Sequence, residues 1–432
     1  METLLKRIQN KEAIIGIVGL GYVGLPLAME FCKGGFTVIG VDLLEDKIEQ
    51  LKSGKSYVLD VAPDTVAEYV GKTFFPTSSY SELAKADTIS IAVPTPLRKS
   101  KDPDISYIVS AMEQIKKVLH KNMVIVLEST TYPGTTKELI AAEVENMGYA
   151  LDKDFFIAFS PERVDPGNPV YHTKNTPKVI GGCGPNSTLI AKTLYEQVID
   201  TVVPVDSTEE AEMVKLLENT FRAVNIGLVN ELTLMCDRMG VNIWNVIDAA
   251  ATKPFGFMPF YPGPGIGGHC IPLDPMYLSW KAKMFNFYNK FIELATDING
   301  NMPRFVIEKL MHILNNEGKA LSKSKILLLG MAYKNDIDDL RESPGLEIYN
   351  LLLEKNANIE FYDPYVSSFQ NGAERVSGIA ELTPAKIAEY DCVVLLTAHK
   401  NLDYELIAEH SKLIFDTRNG FKGIDSKKIK RL

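Results

Sequence analysis

The chain has 432 residues, of which 46% are hydrophobic and 23% charged, and its net charge is −9 at pH 7. That length predicts two or three domains, and the acidic balance argues against a nucleic-acid-binding surface. The apolar runs are short, the N-terminus lacks a signal-peptide core, and the five cysteines include no CxxC pair. These features predict a cytoplasmic protein with no membrane partner, no disulfide framework and no metal site.

The first elements are predicted to form a strand, a glycine-rich turn, a helix and a second strand. Residues 14–19 are apolar and β-branched, as expected of a buried parallel strand, and they lead into a GxGxxG turn. A helix is predicted at residues 25–32 and a strand at residues 37–42, which ends in Asp42. Together these elements make one βαβ unit.

The glycine-rich turn predicts a dinucleotide site, because its strand, helix, second strand and acidic residue are all in place. The glycines let the backbone approach a pyrophosphate at the positive end of the helix dipole. Asp42 would accept both ribose hydroxyls and repel a 2′-phosphate, so we predict NAD rather than NADP; flavin binding is the competing interpretation. The expected cofactor contacts are Gly19, Gly21, Tyr22, Val23, Gly24, Asp42, Thr95 and Thr130.

Three further strands are predicted at residues 88–93, 123–128 and 155–159, each followed by a polar or proline-rich loop. Ligands of open α/β sheets bind beyond the carboxyl ends of the strands, so these loops are expected to border cofactor and substrate. Turn chemistry explains one such loop well, but three in succession less well. The loops carry Thr95, Thr130, Glu162 and Arg163.

The middle of the chain is predicted to be helical, over residues 207–252 and again over 286–314. Ser207 or Thr208 is the expected N-cap, and apolar residues recur at helical spacing. A long helix between two α/β units commonly forms a subunit interface, so we expect a homodimer or higher homo-oligomer. The apolar positions are Met213, Leu217, Phe221, Val224 and Leu228.

The last part is predicted to be a second doubly wound sheet without a full GxGxxG, suited to a nucleotide diphosphate. Its strands are expected at residues 325–330, 358–363, 392–397 and 413–416, with a helix at 343–353. The fold class is therefore α/β, with two Rossmann-like doubly wound domains joined by a central helical dimerisation region. The predicted domains are 1–206, 207–315 and 316–432.

Residues 261–275 place four glycines and several prolines around one thiol, Cys270. A rigid loop without bulky side chains suits a covalent nucleophile, although a buried structural cysteine is the competing interpretation. Beside NAD, a thiolate adds to an aldehyde, and the thiohemiacetal can be oxidised to a thioester that water hydrolyses. This chemistry needs a group to stabilise the oxyanion and a base.

Lys215 and Asn219 are the candidates for the oxyanion, because they lie four residues apart on one predicted helix. A solvent-facing polar stripe would show the same spacing. Asp274 and Glu162 are the candidate bases, whereas His269 is expected to point away from Cys270. Basic groups in loops of the last domain could hold a diphosphate or be solvated, namely Lys334, Arg341 and Arg418.

Four segments in order resemble the UDP-glucose/GDP-mannose dehydrogenase family: residues 16–26, 218–220, 263–274 and 330–344. The resemblance implies an N-terminal NAD domain, a helical dimerisation region and a C-terminal UDP-binding domain. It also implies a four-electron oxidation of a sugar C6 alcohol to a carboxylate with two NAD. A two-electron β-hydroxyacid dehydrogenase would not need Cys270 or the last domain, and an NAD-sensing protein would not need the thiol or Lys215.

The resemblance implies that Cys270 is the nucleophile, with Lys215, Asn219, Asp274, Glu162 and Thr130 near the reacting centre. Residues 160–167 are similar to the branch that acts on N-acetylated UDP-hexosamines and feeds polysaccharide assembly, and residues 253–261 look most like its members that act on UDP-N-acetylglucosamine. UDP-N-acetylglucosamine is the first expectation; the mannosamine and galactosamine epimers and UDP-glucose stay open. The implied substrate contacts are Glu162, Arg163, Lys215, Asn219, Arg222, Tyr261, Gly263, Gly267, Lys334, Arg341 and Arg418.

Overall fold

The computed structural model describes residues 1–58, 60–96, 98, 102–165, 168, 170–268 and 271–432. These form two compact units, one of Met1–Glu218 with Met276–Phe287 and the other of Asn219–Pro275 with Tyr288–Leu432. The three domain ranges expected from the sequence are a different subdivision and stay predictions.

The first unit contains an eight-stranded sheet with the order β3-β2-β1-β4-β5-β6-β7-β8. All neighbouring strands are parallel except β6 and β7, which are antiparallel. The first six strands have the order of a dinucleotide-binding sheet, which confirms the predicted α/β class. The strands are β1 (Ile14–Val18), β2 (Thr37–Val41), β3 (Phe74–Thr77), β4 (Thr88–Ile91), β5 (Met123–Leu127), β6 (Phe155–Phe159), β7 (Lys178–Gly182) and β8 (Val202–Val205).

Helices cover both faces of this sheet, so its central strands β1, β4 and β5 are almost entirely buried. In β5, Val124 and Val126 face one hydrophobic cluster, while Met123, Ile125 and Leu127 face the other. This alternation follows from the two-residue period of a strand. The helices are α1 (Glu2–Gln9), α2 (Gly24–Lys33), α3 (Glu45–Lys52), α4 (Pro63–Tyr69), α5 (Ser106–Ile115), α6 (Ala142–Asn146) and α7 (Pro185–Tyr195).

The middle of the chain is helical, as predicted. Helix α8 (Thr208–Met239) begins at the expected place, where the Ser207 hydroxyl oxygen accepts the Glu210 amide at 3.2 Å, and α9 (Ile243–Ala250) and α10 (Asp274–Lys283) follow. Helix α11 (Lys290–Asn316) begins later than residue 286, because Asn286 has a left-handed φ of +56°. Among the described residues, no helix is both long and apolar enough to cross a bilayer.

The second unit contains a five-stranded parallel sheet with the order β10-β9-β13-β14-β15. The chain reverses direction across the sheet beside β9, so this is a second doubly wound sheet, as predicted. Its strands are β9 (Lys325–Leu329), β10 (Asn358–Tyr362), β13 (Cys392–Leu395), β14 (Ile414–Asp416) and β15 (Ile429–Arg431), with a hairpin of β11 (Ser368–Asn371) and β12 (Glu374–Ser377) and the helices α12 (Pro344–Glu354), α13 (Pro384–Ala388) and α14 (Tyr404–His410).

Each sheet has a left-handed glycine directly after its first strand. Gly19 follows β1 with φ +92°, and Gly330 follows β9 with φ +80°. A Cβ at Gly19 would meet the Ala92 carbonyl after β4, and one at Gly330 would meet the Thr397 carbonyl after β13. Both first turns are therefore closed by backbone packing that only glycine allows.

The first turns of α8 contact the loop after β5 through Glu212. This buried carboxylate accepts hydrogen bonds from the Gly134 amide and from the amide and hydroxyl of Thr136. Burial nevertheless dominates and raises the pKa of Glu212 from 4.5 to about 7. The contact is thus sensitive to pH near neutrality.

We expect Glu212 to make unfolding pH-dependent. Between its unfolded pKa of 4.5 and its folded pKa of about 7, only the folded carboxyl keeps its proton. The free energy of unfolding should therefore fall as the pH rises through this range, by up to roughly 3 kcal/mol from this group. In urea unfolding at pH 5 and pH 8, Glu212→Gln should show a smaller difference than wild type. The exposed Glu210→Gln is the control, and an unchanged pH dependence in Glu212→Gln would contradict the assignment.

Candidate functional site

The turn after β1 uses its three glycines in two ways. A Cβ at Gly24 would overlap the Gly19 carbonyl oxygen, so Gly19 and Gly24 are needed for the turn itself. A Cβ at Gly21 would meet nothing within 4 Å. Position 21 is therefore open toward any ligand at the start of α2, while Tyr22 beside it is exposed and Val23 is half-buried.

Asp42 lies directly after β2 and is fixed above the glycine turn. Its Oδ2 accepts the Leu20 amide at 3.1 Å, and its Oδ1 accepts the Leu44 amide at 3.1 Å. Each carboxylate oxygen has two acceptor positions, so both retain capacity for a ribose hydroxyl. Leu43 and Leu44 are exposed and apolar, and Lys47 Nζ lies 3.5 Å from Asp42. This acceptor and the open glycine turn fit NAD.

The loops after β4, β5 and β6 each make a defined contact. The carbonyl of buried Thr95 accepts the Tyr277 hydroxyl. Thr130 Oγ1 accepts from Lys215 Nζ at 2.5 Å. Glu162 Oε1 accepts two amides of its own loop, from Arg163 at 2.8 Å and Val164 at 2.7 Å. The predicted residues of this unit thus lie at the carboxyl edge of adjacent strands.

Arg163 has ionic and backbone partners. Its Nε and Nη2 donate to the two carboxylate oxygens of Glu218 at 3.2 and 2.5 Å, and its Nη1 donates to the Pro177 carbonyl at 2.8 Å. A guanidinium has five N–H donors, so these three bonds fix the side chain and leave two donors.

Two charged residues of this region were not singled out from the sequence. Glu128 follows β5, Lys178 begins β7, and their buried side chains form an ion pair with 2.8 Å between Oε2 and Nζ. The only sequence signal was a charge at the end of an otherwise apolar strand, which normally indicates a solvated turn.

In the second unit, Asn219 and Asp274 form a buried pair. Asn219 Nδ2 donates to Asp274 Oδ2 at 2.5 Å, and Asp274 begins α10. On α8, Asn219 follows Lys215 by about one turn. The amide and ammonium predicted for the oxyanion are therefore neighbours on one helix.

The glycine-rich segment after Tyr261 is packed too closely for side chains. The Gly263 amide donates to Asn230 Oδ1 at 3.1 Å, and a Cβ at Gly263 would meet the Arg418 guanidinium. A Cβ at Gly267 would come within 2.6 Å of the Tyr333 Cβ. Cys270 and His269 lie outside the described residues.

The remaining predicted substrate contacts differ in exposure. Arg418 is half-buried, and its Nε donates to the Leu396 carbonyl at 2.9 Å. Arg341 is exposed and paired with Asp339 through Nη2 at 2.6 Å. Tyr261 stacks on Trp244 and donates its hydroxyl to Asp248 at 2.8 Å. Lys334 is half-buried, and Arg222 is exposed.

Asp363 occupies the same position after β10 as Asp42 does after β2. Its Oδ1 accepts the amides of Tyr365 and Val366, and its Oδ2 accepts those of Met331 and Ala332. His399, whose Nδ1 accepts the Asp336 amide, lies with Nε2 3.1 Å from Asp363 Oδ2. This carboxylate is fully buried, and it holds the loop that leads to Lys334 by accepting two of its backbone amides.

Comparison with known proteins identifies the family. Three models of the UDP-glucose/GDP-mannose dehydrogenase family match in order: the NAD binding domain at residues 13–199, the central domain at 209–301 and the UDP binding domain at 327–423. The chain belongs to this family. It is accordingly an NAD-dependent oxidoreductase of nucleotide sugars with a UDP-binding domain.

Members with two different sugar substrates are similarly related to this one. The chain is 35% identical over 407 residues to the UDP-N-acetyl-D-glucosamine 6-dehydrogenase of Pseudomonas aeruginosa, covering 93% of this chain and 95% of that protein. It is 36% identical over 419 residues to the UDP-N-acetyl-D-mannosamine dehydrogenase of Methanococcus maripaludis, covering 94% and 92%. The solved UDP-D-ManNAc dehydrogenase of Pyrococcus horikoshii has a TM-score of 0.88 at 31% identity, covering 97% and 98%.

Replacement by alanine should have different effects on stability at the two kinds of glycine in the turn after β1. Gly21→Ala should fold normally but weaken NAD binding roughly tenfold, about 1.4 kcal/mol, because its methyl enters open space. Gly24→Ala should also lose about 1–3 kcal/mol of stability, because its methyl meets a carbonyl. Calorimetric NAD titration and thermal unfolding distinguish the two. The exposed Gly300→Ala in α11 is the control, and wild-type NAD affinity in Gly21→Ala would refute the distinction.

Proposed function

We propose that the chain oxidises the C6 alcohol of a UDP-N-acetylhexosamine, with UDP-N-acetylglucosamine as the first candidate, to the uronic acid. The observation that carries the proposal is the pair of polar contacts on α8, Lys215 with Thr130 and Asn219 with Asp274. An ammonium and an amide one turn apart suit a developing oxyanion. Family membership supplies an NAD binding domain and a UDP binding domain.

The proposed reaction has two oxidations and one hydrolysis. The alcohol gives up a hydride and a proton to become an aldehyde, and the Cys270 thiolate adds to its carbonyl carbon. Loss of a second hydride converts the thiohemiacetal to a thioester. Water then cleaves the C–S bond, giving the carboxylate and the free thiol. Bound NAD supplies the hydride acceptor, and two NAD are consumed for each sugar.

Each chain residue has a role that its contacts support. The Lys215 ammonium and the Asn219 amide would stabilise oxyanions that form at C6, with Thr130 and Asp274 orienting them. Glu162, fixed by two backbone amides, would accept a proton or position water. Asp274 is the alternative base, although its Oδ2 is already used by Asn219.

Arg418 is the candidate for holding the diphosphate in the second unit. Its Nε is anchored on a backbone carbonyl, and its guanidinium faces Gly263, where a side chain would collide with it. Such an anchored fork suits phosphate oxygens. Lys334 and Arg341 would add charge from the loop after β9, and Arg222, Tyr261 and Gly267 remain proposed contacts of the sugar nucleotide.

The choice of hexosamine rests on sequence segments, not on overall similarity. Relatives named for glucosamine and for mannosamine are equally close at 35% and 36% identity. Residues 253–261 favour the glucosamine derivative. Arg163, held by Glu218, keeps two N–H donors that could meet an acetamido oxygen. UDP-N-acetylmannosamine is the second candidate, and UDP-N-acetylgalactosamine and UDP-glucose follow.

NADH formed per sugar consumed tests both parts of the proposal. UDP-N-acetylglucosamine should give two NADH, and UDP-N-acetylmannosamine, UDP-N-acetylgalactosamine and UDP-glucose should react at least tenfold more slowly, a difference of about 1.4 kcal/mol in transition-state binding. Two NADH from another sugar would keep the chemistry and change the specificity. One NADH per sugar would refute the four-electron reaction.

Replacing the Cys270 thiol tests the second oxidation, because only that step passes through the thiohemiacetal and the thioester. In Cys270→Ser the covalent acyl intermediate should form poorly, so turnover should fall at least about 10³-fold. NAD binding should stay within about twofold of wild type, since the glycine turn is unchanged. Cys236→Ser, at a buried thiol of α8, is the control. Full two-NADH turnover by Cys270→Ser would rule out the thioester route.

We also propose that the protein forms a homodimer through α8. Phe221, Leu228 and Met235 are spaced by seven residues, which places them on one helix face, and each is 46–50% exposed. A second copy of this apolar face is the natural partner. Light scattering should give twice the chain mass, and Leu228→Glu should lower it toward that of one chain while the exposed Leu353→Glu does not. A monomeric wild type would contradict the proposal.

A further inference from the structure

Beneath the loop that carries Glu162 lies a buried group of charges. Lys178 Nζ is 2.8 Å from Glu128 Oε2 and 3.8 Å from Glu162 Oε2. The side chains of Lys178, Glu128 and Glu162 are only 6%, 0% and 12% exposed. One ammonium is therefore shared by two carboxylates that are largely shielded from bulk water.

Tyr195 of α7 fixes the far side of this group. Its hydroxyl donates to Glu128 Oε1 and lies 3.1 Å from the Ser90 hydroxyl, and its ring centroid is 5.1 Å from Lys178 Nζ. Glu128 is thus held by Tyr195 through one oxygen and by Lys178 through the other. The ammonium has a fixed position from which it faces Glu162.

Stability alone does not explain these charges. Burial raises the pKa of the Glu128 carboxyl despite the neighbouring Lys178 ammonium. Burial also lowers the pKa of Lys178, but the two carboxylates outweigh it and raise the pKa overall. Replacing a buried ion pair by apolar side chains is often neutral or stabilising. The pair is better explained by what it does to Glu162.

We propose that Lys178 is a positioning residue that orients the Glu162 carboxylate through its positive charge, with Glu128 setting the strength of that effect. The inference rests on the proposed role of Glu162 as base or water-positioning group. Two backbone amides hold Glu162 Oε1, and Lys178 is the cation that faces Oε2. The titratable or charged groups around Glu162 are Glu128, Lys178, Tyr195 and Arg163 with its partner Glu218.

Two variants should shift the pH profile of kcat in opposite directions. Lys178→Met combined with Glu128→Gln removes both charges, so Glu162 loses its cation and the acid limb should move to higher pH. Glu128→Gln alone frees Lys178 to pair with Glu162, so the acid limb should move down. KM for the sugar nucleotide and for NAD should stay within about twofold in both. A purely structural role predicts no opposed shifts, and Lys178→Arg should keep the limb near that of wild type.

A double-mutant cycle with Glu162→Gln provides the decisive measurement. If Lys178 acts through Glu162, the Lys178→Met/Glu128→Gln pair should have little further effect on kcat in the Glu162→Gln background. The proposal would be overturned if the losses of kcat were additive in the two backgrounds. It would also be overturned if the acid limb of Glu128→Gln did not move to lower pH. Glu128→Gln keeps Lys178 paired with Glu162 and decides the question even if the charge-free variant does not fold. The NADH count of the wild type tests the proposed function separately, so the two can fail independently.

Discussion

Both sheets depend on a close approach of two backbone segments beside the first strand. The glycine after β1 and the glycine after β9 are left-handed, and each contacts a carbonyl where a neighbouring strand ends. No Cβ fits at either place. The first loop of each sheet is thereby held at the edge where parallel strands present their carboxyl ends. In the first sheet, Asp42 is tied to this loop because its Oδ2 accepts the Leu20 amide.

Helix α8 carries polar side-chain contacts on one face and exposed apolar residues on the opposite face. One face carries three polar residues spaced by three and four positions, Glu212, Lys215 and Asn219. Each of them makes a side-chain hydrogen bond to another segment of the chain. Phe221 and Leu228 lie about half a turn around the helix at roughly 100° per residue. Polar contacts and the exposed apolar face therefore do not compete for the same surface.

The sequence predicted what depends on local pattern. Strands β1, β2, β5 and β6 are apolar runs between turns, and the Ser207 cap precedes an amphipathic helix, so these elements were found. The edge strands β3 and β8 were missed because each contains a proline, which suits an edge but weakens a strand signal.

Side-chain pairing was much less predictable than the elements. Arg163 was expected to face substrate, but which carboxylate holds it depends on α8 and the loop after β6 meeting in space. The Lys178–Glu128 pair was missed for the same reason, since 50 residues separate its members. The proposed role of each site residue stays a prediction, and Cys270 lies outside the described residues.

The aspartates that follow the second strand of each sheet differ in how many further hydrogen bonds they can accept. Asp42 keeps free acceptor positions, whereas Asp363 is saturated by four amides and His399. Introducing a complete glycine motif after β9 would therefore not make that sheet a second dinucleotide site. The aspartate in the position of a ribose acceptor is already fully hydrogen-bonded within the protein, so its contacts would also have to be removed.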